Sequence, residues 1–148
     1  MLDRLNKTTG PWETTSYEYD EVGNRLLMKV GQASTSYFYD CMNRLLQAGN
    51  TYYSWDSNGN LKGVYDGVDT WNYTYDFMDQ LTVIKKNGAV QSQFWYDAQG
   101  RRVRLGNAQD GYVNHVYSGL NIIFENSSAG IATKHFYANG LHIAENQI

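Results

Sequence analysis

Five aspartates, each directly behind an aromatic residue, recur at near-regular spacing: Tyr19-Asp20, Tyr39-Asp40, Trp55-Asp56, Tyr75-Asp76 and Tyr96-Asp97. A row of carboxylates beside phenols could serve acid–base hydrolysis or gather calcium. The spacing argues for another role. Two degenerate copies, Tyr117-Ser118 and Tyr137-Ala138, extend the series, so the second residues fall at 20, 40, 56, 76, 97, 118 and 138, in steps of 20, 16, 20, 21, 21 and 20. A fixed period of this size marks a repeat architecture, each copy being one supersecondary unit. A residue present in every copy is expected to hold the unit together rather than to perform a reaction once. Aspartate suits that task, because its carboxylate accepts from backbone N–H groups two residues on and so caps its own turn. Asp20, Asp40, Asp56, Asp76 and Asp97 are therefore expected to be turn caps, Ser118 a weaker one, and Ala138 is followed by Asn139-Gly140. No catalytic residue is expected, and the chain reads as a non-enzyme.

The rings divide into two sets. Tyr19, Tyr39, Trp55, Tyr75, Tyr96, Tyr117 and Tyr137 are in register and are expected to be structural, packing across strands with the hydroxyl toward water. Trp12, Trp71 and Trp95 fall off that register and are the candidate ligand contacts. On alternation Trp95 faces opposite to Phe94 and Tyr96, as a sugar-binding ring would. His115 and His135 are register equivalents two residues before Tyr117 and Tyr137. Together with His142 they could approach a metal, but no carboxylate or cysteine stands at a ligand's local spacing. Wall histidines are the plainer reading, and neither a metal nor a cofactor is expected. Cys41, the single cysteine, sits in a turn with no informative histidine partner and can form no disulfide within the chain. Asn6, Asn72 and Asn126 open glycosylation acceptor patterns.

The elements that must position these residues are hairpins. Tyr17 and Tyr19 share a face in an extended strand, Asp20 to Asn24 carry turn chemistry, and Leu26, Met28 and Val30 alternate as a second strand. The pattern returns downstream. Between hairpins lie further turn signals at Gly31-Gln32, Ala48-Gly49-Asn50, Asp66-Gly67, Asn87-Gly88, Asp110-Gly111 and Ala129-Gly130, of which Asn87-Gly88 is the strongest. Fourteen glycines against one proline suit such turns. The expected fold is all-β: one domain, 1–148, of about seven hairpins and fourteen short strands, an antiparallel array forming a curled sheet. Residues 1–14 are expected to be the remnant of a preceding repeat. Of the 148 residues 42% are hydrophobic and 15% aromatic, and the net charge is −3. No basic run exists, so the electrostatic footprint of a nucleic-acid binder is missing. No apolar segment is long enough to span a membrane as a helix, and residues 1–10 hold no signal-peptide core.

The stretch Tyr17-Glu18-Tyr19-Asp20-Glu21-Val22-Gly23-Asn24-Arg25-Leu26 resembles the YD repeat of Rhs-type proteins. So do Tyr39 to Leu45 and Tyr96 to Arg101, and the stretches from Tyr117 and Phe136 resemble divergent copies near the end of such arrays. The resemblance implies hairpins that continue one another in a spiral sheet, part of a shell or barrel. Such shells enclose a toxic segment in polymorphic bacterial toxins and insecticidal toxin complexes, and act as adhesion scaffolds in teneurins. It implies a larger secreted or cell-surface parent whose neighbouring repeats, and an enclosed toxin or cargo segment, are the partners. The chain is read as a piece of an array, without the aspartate-dependent self-cleavage site or toxin tail of its relatives. In isolation it is expected to form a homo-oligomer or to exchange strands. A carbohydrate-binding adhesion module is the alternative.

Overall fold

The computed structural model describes residues 4–10, 13–108, 111–138 and 141–147. Every element among them is a β-strand. Two compact units divide the chain, Met1–Thr70 and Trp71–Ile148. The first carries β1 (Lys7–Thr9), β2 (Thr14–Tyr19), β3 (Arg25–Val30), β4 (Ala33–Tyr39), β5 (Leu45–Ala48), β6 (Thr51–Trp55) and β7 (Leu61–Tyr65). The second carries β8 (Thr70–Tyr75, apart from its first residue), β9 (Leu81–Lys86), β10 (Ala89–Tyr96), β11 (Arg102–Asn107), β12 (Gly111–Ser118), β13 (Asn121–Ser127), β14 (Ala132–Ala138) and β15 (Leu141–Gln147).

Within each unit every strand pairs antiparallel with its neighbour in sequence, and among the described residues no last strand returns to the first. The all-β hairpin array read from the repeat is thus the fold. Among the described residues fifteen strands form, against the expected fourteen or so. The addition is β1, which pairs Lys7 with Ser16 and Thr9 with Thr14 in the segment assigned to a preceding repeat.

The turns between hairpins follow their chemistry. Asn87 and Gly88 both adopt positive φ, 50° and 83°, the geometry of the two-residue turn whose twist matches its strands. The hairpin over Asp40 to Asp56 is the one with the short 16-residue step, and its β5 has only four residues.

One regular feature has no mark in the alternation pattern. The register slips at the same place in every hairpin, between Glu18 and Tyr19, Phe38 and Tyr39, Ser54 and Trp55, Thr74 and Tyr75, Trp95 and Tyr96, Val116 and Tyr117, and Phe136 and Tyr137. Each slip is a β-bulge, which bends its strand and adds right-handed twist; repeated at one position, it curls a sheet in one sense. It also interrupts the alternation expected of Leu26, Met28 and Val30. Tyr19 opposes Arg25 and Glu18 opposes Leu27, so Leu26 is the extra residue and is 42% exposed, whereas Met28 and Val30 are half-buried.

Of the described hydrophobic side chains only Tyr37 is buried, at 7% exposure. The core is one face of a single layer. Its central ladder is the residue two before each repeat aromatic, paired across the hairpin: Tyr17 with Met28, Tyr37 with Ala48 and Tyr53 with Val64 in the first unit. In the second unit Tyr73 pairs with Ile84 and Phe94 with Leu105. The Arg25 guanidinium covers the Tyr37 ring at 4.2 Å, a cation–π contact that uses the side chain's stem as packing.

Candidate functional site

Each aspartate closes a five-residue turn. Its N–H donates to the carbonyl four residues on, and the N–H three residues on donates to its own carbonyl, as in Asp56 with Asn60 at 2.9 Å and Gly59 at 3.2 Å. The residue three on has positive φ in all five copies: Gly23 at 106°, Asn43 at 60°, Gly59 at 91°, Asp79 at 59° and Gly100 at 79°. Oδ1 then accepts from two turn N–H groups. Those of Gly23 and Asn24 reach Asp20, both at 2.7 Å. Asp40 takes Met42 and Arg44, and Asp56 takes Asn58 and Asn60. Asp76 takes Met78 and Gln80, and Asp97 takes Gln99 and Arg101.

The fourth residue after each aspartate is a participant that the sequence reading passed over. Asn24 Nδ2, Arg44 Nε, Asn60 Nδ2 and Arg101 Nε donate to Oδ2 of their own turn at 2.9, 2.7, 3.1 and 2.7 Å. The same position also reaches the following turn. Arg44 Nη1 donates to the Asp56 carbonyl at 3.3 Å, Gln80 Nε2 to the Gly100 carbonyl at 3.3 Å, and Arg101 to the Gly119 carbonyl. Asn24 Nδ2 donates to Asn43 Oδ1 at 2.8 Å. Arg4 donates to the Asp20 carbonyl at 3.1 Å in the same manner. The signal was present: an amide or guanidinium stands at this offset in each of the five aspartate copies.

These bonds set the carboxylates' acidity. Partial burial is the largest influence on Asp20, Asp56 and Asp97 and works upward; the bonds from Asn24, Asn60 and Arg101 and from the turn N–H groups outweigh it and hold all three below the ordinary carboxylate value. At Asp40 the Arg44 backbone N–H is the largest influence, and the pKa is again lowered. Hydrogen bonds to the charged form favour it.

The repeat aromatics tie hairpin to hairpin. Tyr19 Oη donates to the Leu5 carbonyl at 3.0 Å, Tyr39 to Arg25 at 3.1 Å, Tyr96 to Leu81 at 2.8 Å and Tyr117 to Arg102 at 2.9 Å. Trp55 makes the same contact through Nε1, to the Leu45 carbonyl at 2.9 Å. Except at Leu5, which lies two residues before β1, the acceptor opens the second strand of the preceding hairpin. The exchange of tyrosine for tryptophan at this register keeps the required feature, a donor at the far end of a ring.

Of the off-register tryptophans, Trp71 and Trp95 stand on different strands and in different surroundings. Trp12 lies outside the described residues. Trp71 is half-buried on the face of Tyr73 and Tyr75, with Lys86 Nζ 5.3 Å from its ring centroid. Trp95 stands on the opposite face from Phe94 and Tyr96 and is 42% exposed. There its ring covers Gly106, where an added Cβ would meet the indole at 3.3 Å, and Arg104 lies between Trp95 and Tyr112, 5.6 and 4.8 Å from their ring centroids. Trp95, Tyr112, Gly106 and Gln93 line an open cleft of about 350 Å³. His115 and His135 do meet through a third residue, the Glu125 carboxylate between them.

The family described as Teneurin YD-shell matches residues 1–123. The chain is 33% identical over 144 residues to the tRNA nuclease WapA of Bacillus subtilis (strain 168), a match covering 91% of this chain and 6% of that protein. It is 31% identical, with the same coverage, to the tRNA3(Ser)-specific nuclease WapA of Bacillus spizizenii. It thus spans only about 6% of these relatives' length. Among solved structures, TcdB2-TccC3-TEV matches with a TM-score of 0.76 over 92% of this chain and 9% of that one, at 13% identity. TcdB2-TccC3-Cdc42 matches with a TM-score of 0.71 over 86% and 9%, at 14% identity. At these identities the likeness is one of fold.

Proposed function

Because the chain belongs to the Teneurin YD-shell family, we propose that it is a non-catalytic segment of a β-shell, built into a larger secreted or surface-exposed protein and helping to enclose or present another segment. The observation that carries this reading is the repeated ring-to-carbonyl bond: five donors, in one register, each spend their polar end on a backbone carbonyl 10–15 residues earlier in the chain, four of them on the preceding hairpin. In the same reading the aspartates are turn caps. Their oxygens are occupied by turn N–H groups and by the residue four on, which leaves them ill suited to proton transfer. Nuclease activity is a property of the whole WapA relatives, and we assign any such activity in a parent protein to parts outside this segment.

The test is direct. Purified chain incubated with tRNA is expected to leave it intact, while Asp56→Ala lowers the melting temperature. Cleavage that disappears in Asp56→Ala at an unchanged melting temperature would instead make the aspartates catalytic.

The partners of this reading are neighbouring repeats and an enclosed cargo segment. Every described residue of β1 and β15 is exposed, and an uncovered edge strand is a template for another strand. The isolated chain is therefore expected to self-associate by edge pairing. Light scattering that finds monomer alone at high concentration would contradict it.

A second reading, carbohydrate binding, is favoured by one observation, the exposed Trp95 beside Tyr112 and Arg104 over a cleft floored by Gly106. Oligosaccharides would then quench tryptophan emission, and Trp95→Ala would abolish the quenching. Emission indifferent to a broad oligosaccharide panel would remove this reading.

A further inference from the structure

The central ladder of the sheet changes chemistry over its last two hairpins. Up to Phe94 with Leu105 it pairs a ring with an aliphatic residue. The next two rungs are His115 with Glu125 and His135 with Glu145. Ring and partner are replaced together, twice. A packing role alone gives no reason to put Glu125, 28% exposed at its side chain, on the face that carries the ladder, where an unpaired charge is costly.

The side chains form a connected chain. Glu125 Oε1 lies 2.7 Å from His115 Nδ1, and Glu125 Oε2 lies 2.9 Å from His135 Nε2. On its other side His135 Nδ1 is 3.3 Å from His142 Nε2 and 3.8 Å from Glu145 Oε2. The Tyr137 ring meets His142 edge-on at 5.4 Å and fixes its orientation. His115 is 8% exposed at its side chain, and neither of its ring nitrogens has a hydrogen-bond partner in good geometry among the described residues, the 2.7 Å approach of Nδ1 to Glu125 being a contact by distance alone.

We propose that His135, His142 and Glu145 form a binding site for a divalent transition metal ion, zinc being the best match, with Glu125 as the residue that positions His135. Once the His135 Nε2–H donates to Glu125, Nδ1 presents a lone pair toward His142 and Glu145. That lone pair faces a carboxylate, an arrangement that calls for a cation between them. Two nitrogens bound to tetrahedral zinc at about 2.0–2.1 Å stand roughly 3.3 Å apart, the separation found here. The three ligand atoms lie within 4.8 Å of one another, and Glu145, 66% exposed, is free to rotate inward. Imidazole and carboxylate donors suit zinc and leave a fourth position for water. The carboxylate–histidine–metal relay from Glu125 is the usual support of a ligating histidine. Relative to His135, Glu125 arrives from β13 and Glu145 from β15, and Glu145 also stands three residues after His142 on that strand. This site is independent of the shell reading, which stands or falls without it.

The experiment uses the full chain without a histidine tag, stripped with chelator and titrated with zinc against a chromophoric zinc indicator at pH 7.5. One equivalent is expected to bind and to raise the melting temperature. His142→Gln and Glu145→Gln, both at exposed positions, should each weaken binding at least tenfold while circular dichroism stays unchanged. Glu125→Gln should weaken it by about 10–100-fold as a positioning residue. Absence of stoichiometric binding would overturn the proposal. So would binding indifferent to His142→Gln and Glu145→Gln, or a melting temperature that responds to pH between 6 and 7 but not to zinc, which would leave the cluster holding a proton instead.

Discussion

Each aromatic–aspartate pair in this chain does two jobs through two residues joined by one peptide bond. The ring's polar end bonds the hairpin before it, and the next residue's carboxylate closes the turn after it. The carboxylates make acid sensitivity the expected property. Asp20, Asp40, Asp56 and Asp97 have pKa values below the ordinary range in the folded chain. Their stabilisation is full above the unfolded value of about 3.9 and is lost as pH falls from there through the folded values, because the unfolded chain then binds more protons. Thermal melts from pH 6 down to pH 2 should show the midpoint falling steeply below about pH 4, less steeply in Asp97→Asn. A flat profile over that range would remove the turn-cap account.

At the level of the hairpin, the third residue after each aspartate must take positive φ. At Gly59 an added Cβ would meet nothing within 4 Å, so substitution there isolates backbone strain. Gly59→Ala is expected to cost about 1–2 kcal/mol in urea unfolding. Gly59→Asn should cost less, since Asn43 already holds the same place at φ 60°. Equal costs would mean that the side chain rather than the backbone is at fault.

The hairpins themselves were legible in the sequence because period, turn residues and alternation agree within each copy. The outward face of Trp95 followed from alternation alone. The bulge was not legible: it inserts Leu26 into a run that still reads as alternating, and although it always falls beside the repeat aromatic, the inserted residue has no fixed type, being Leu26, Lys62 or Thr82 in different copies. Nor was the Glu125–His135–Glu145 constellation, because its members are neighbours only across strands. The fourth-residue connector was legible in principle, but its second bond, to the following turn, depends on how adjacent hairpins are registered.

For the whole molecule, the expectation is stability built from nearest neighbours, as in other repeat arrays, with little buried core to supply it otherwise. The bonds between hairpins then carry a share that globular packing would carry elsewhere. Removing one hydroxyl should cost what a hydrogen bond contributes net, about 0.5–1.5 kcal/mol. Tyr39 and Tyr96 lie in different compact units, so their effects should add. The most direct measurement is therefore the urea stability of Tyr39→Phe, Tyr96→Phe and the double variant, each of which keeps the ring and deletes only the donor. A loss of about 1 kcal/mol for each, summing in the double variant, is the result predicted if these rings join hairpin to hairpin. Unchanged stability in all three would contradict it.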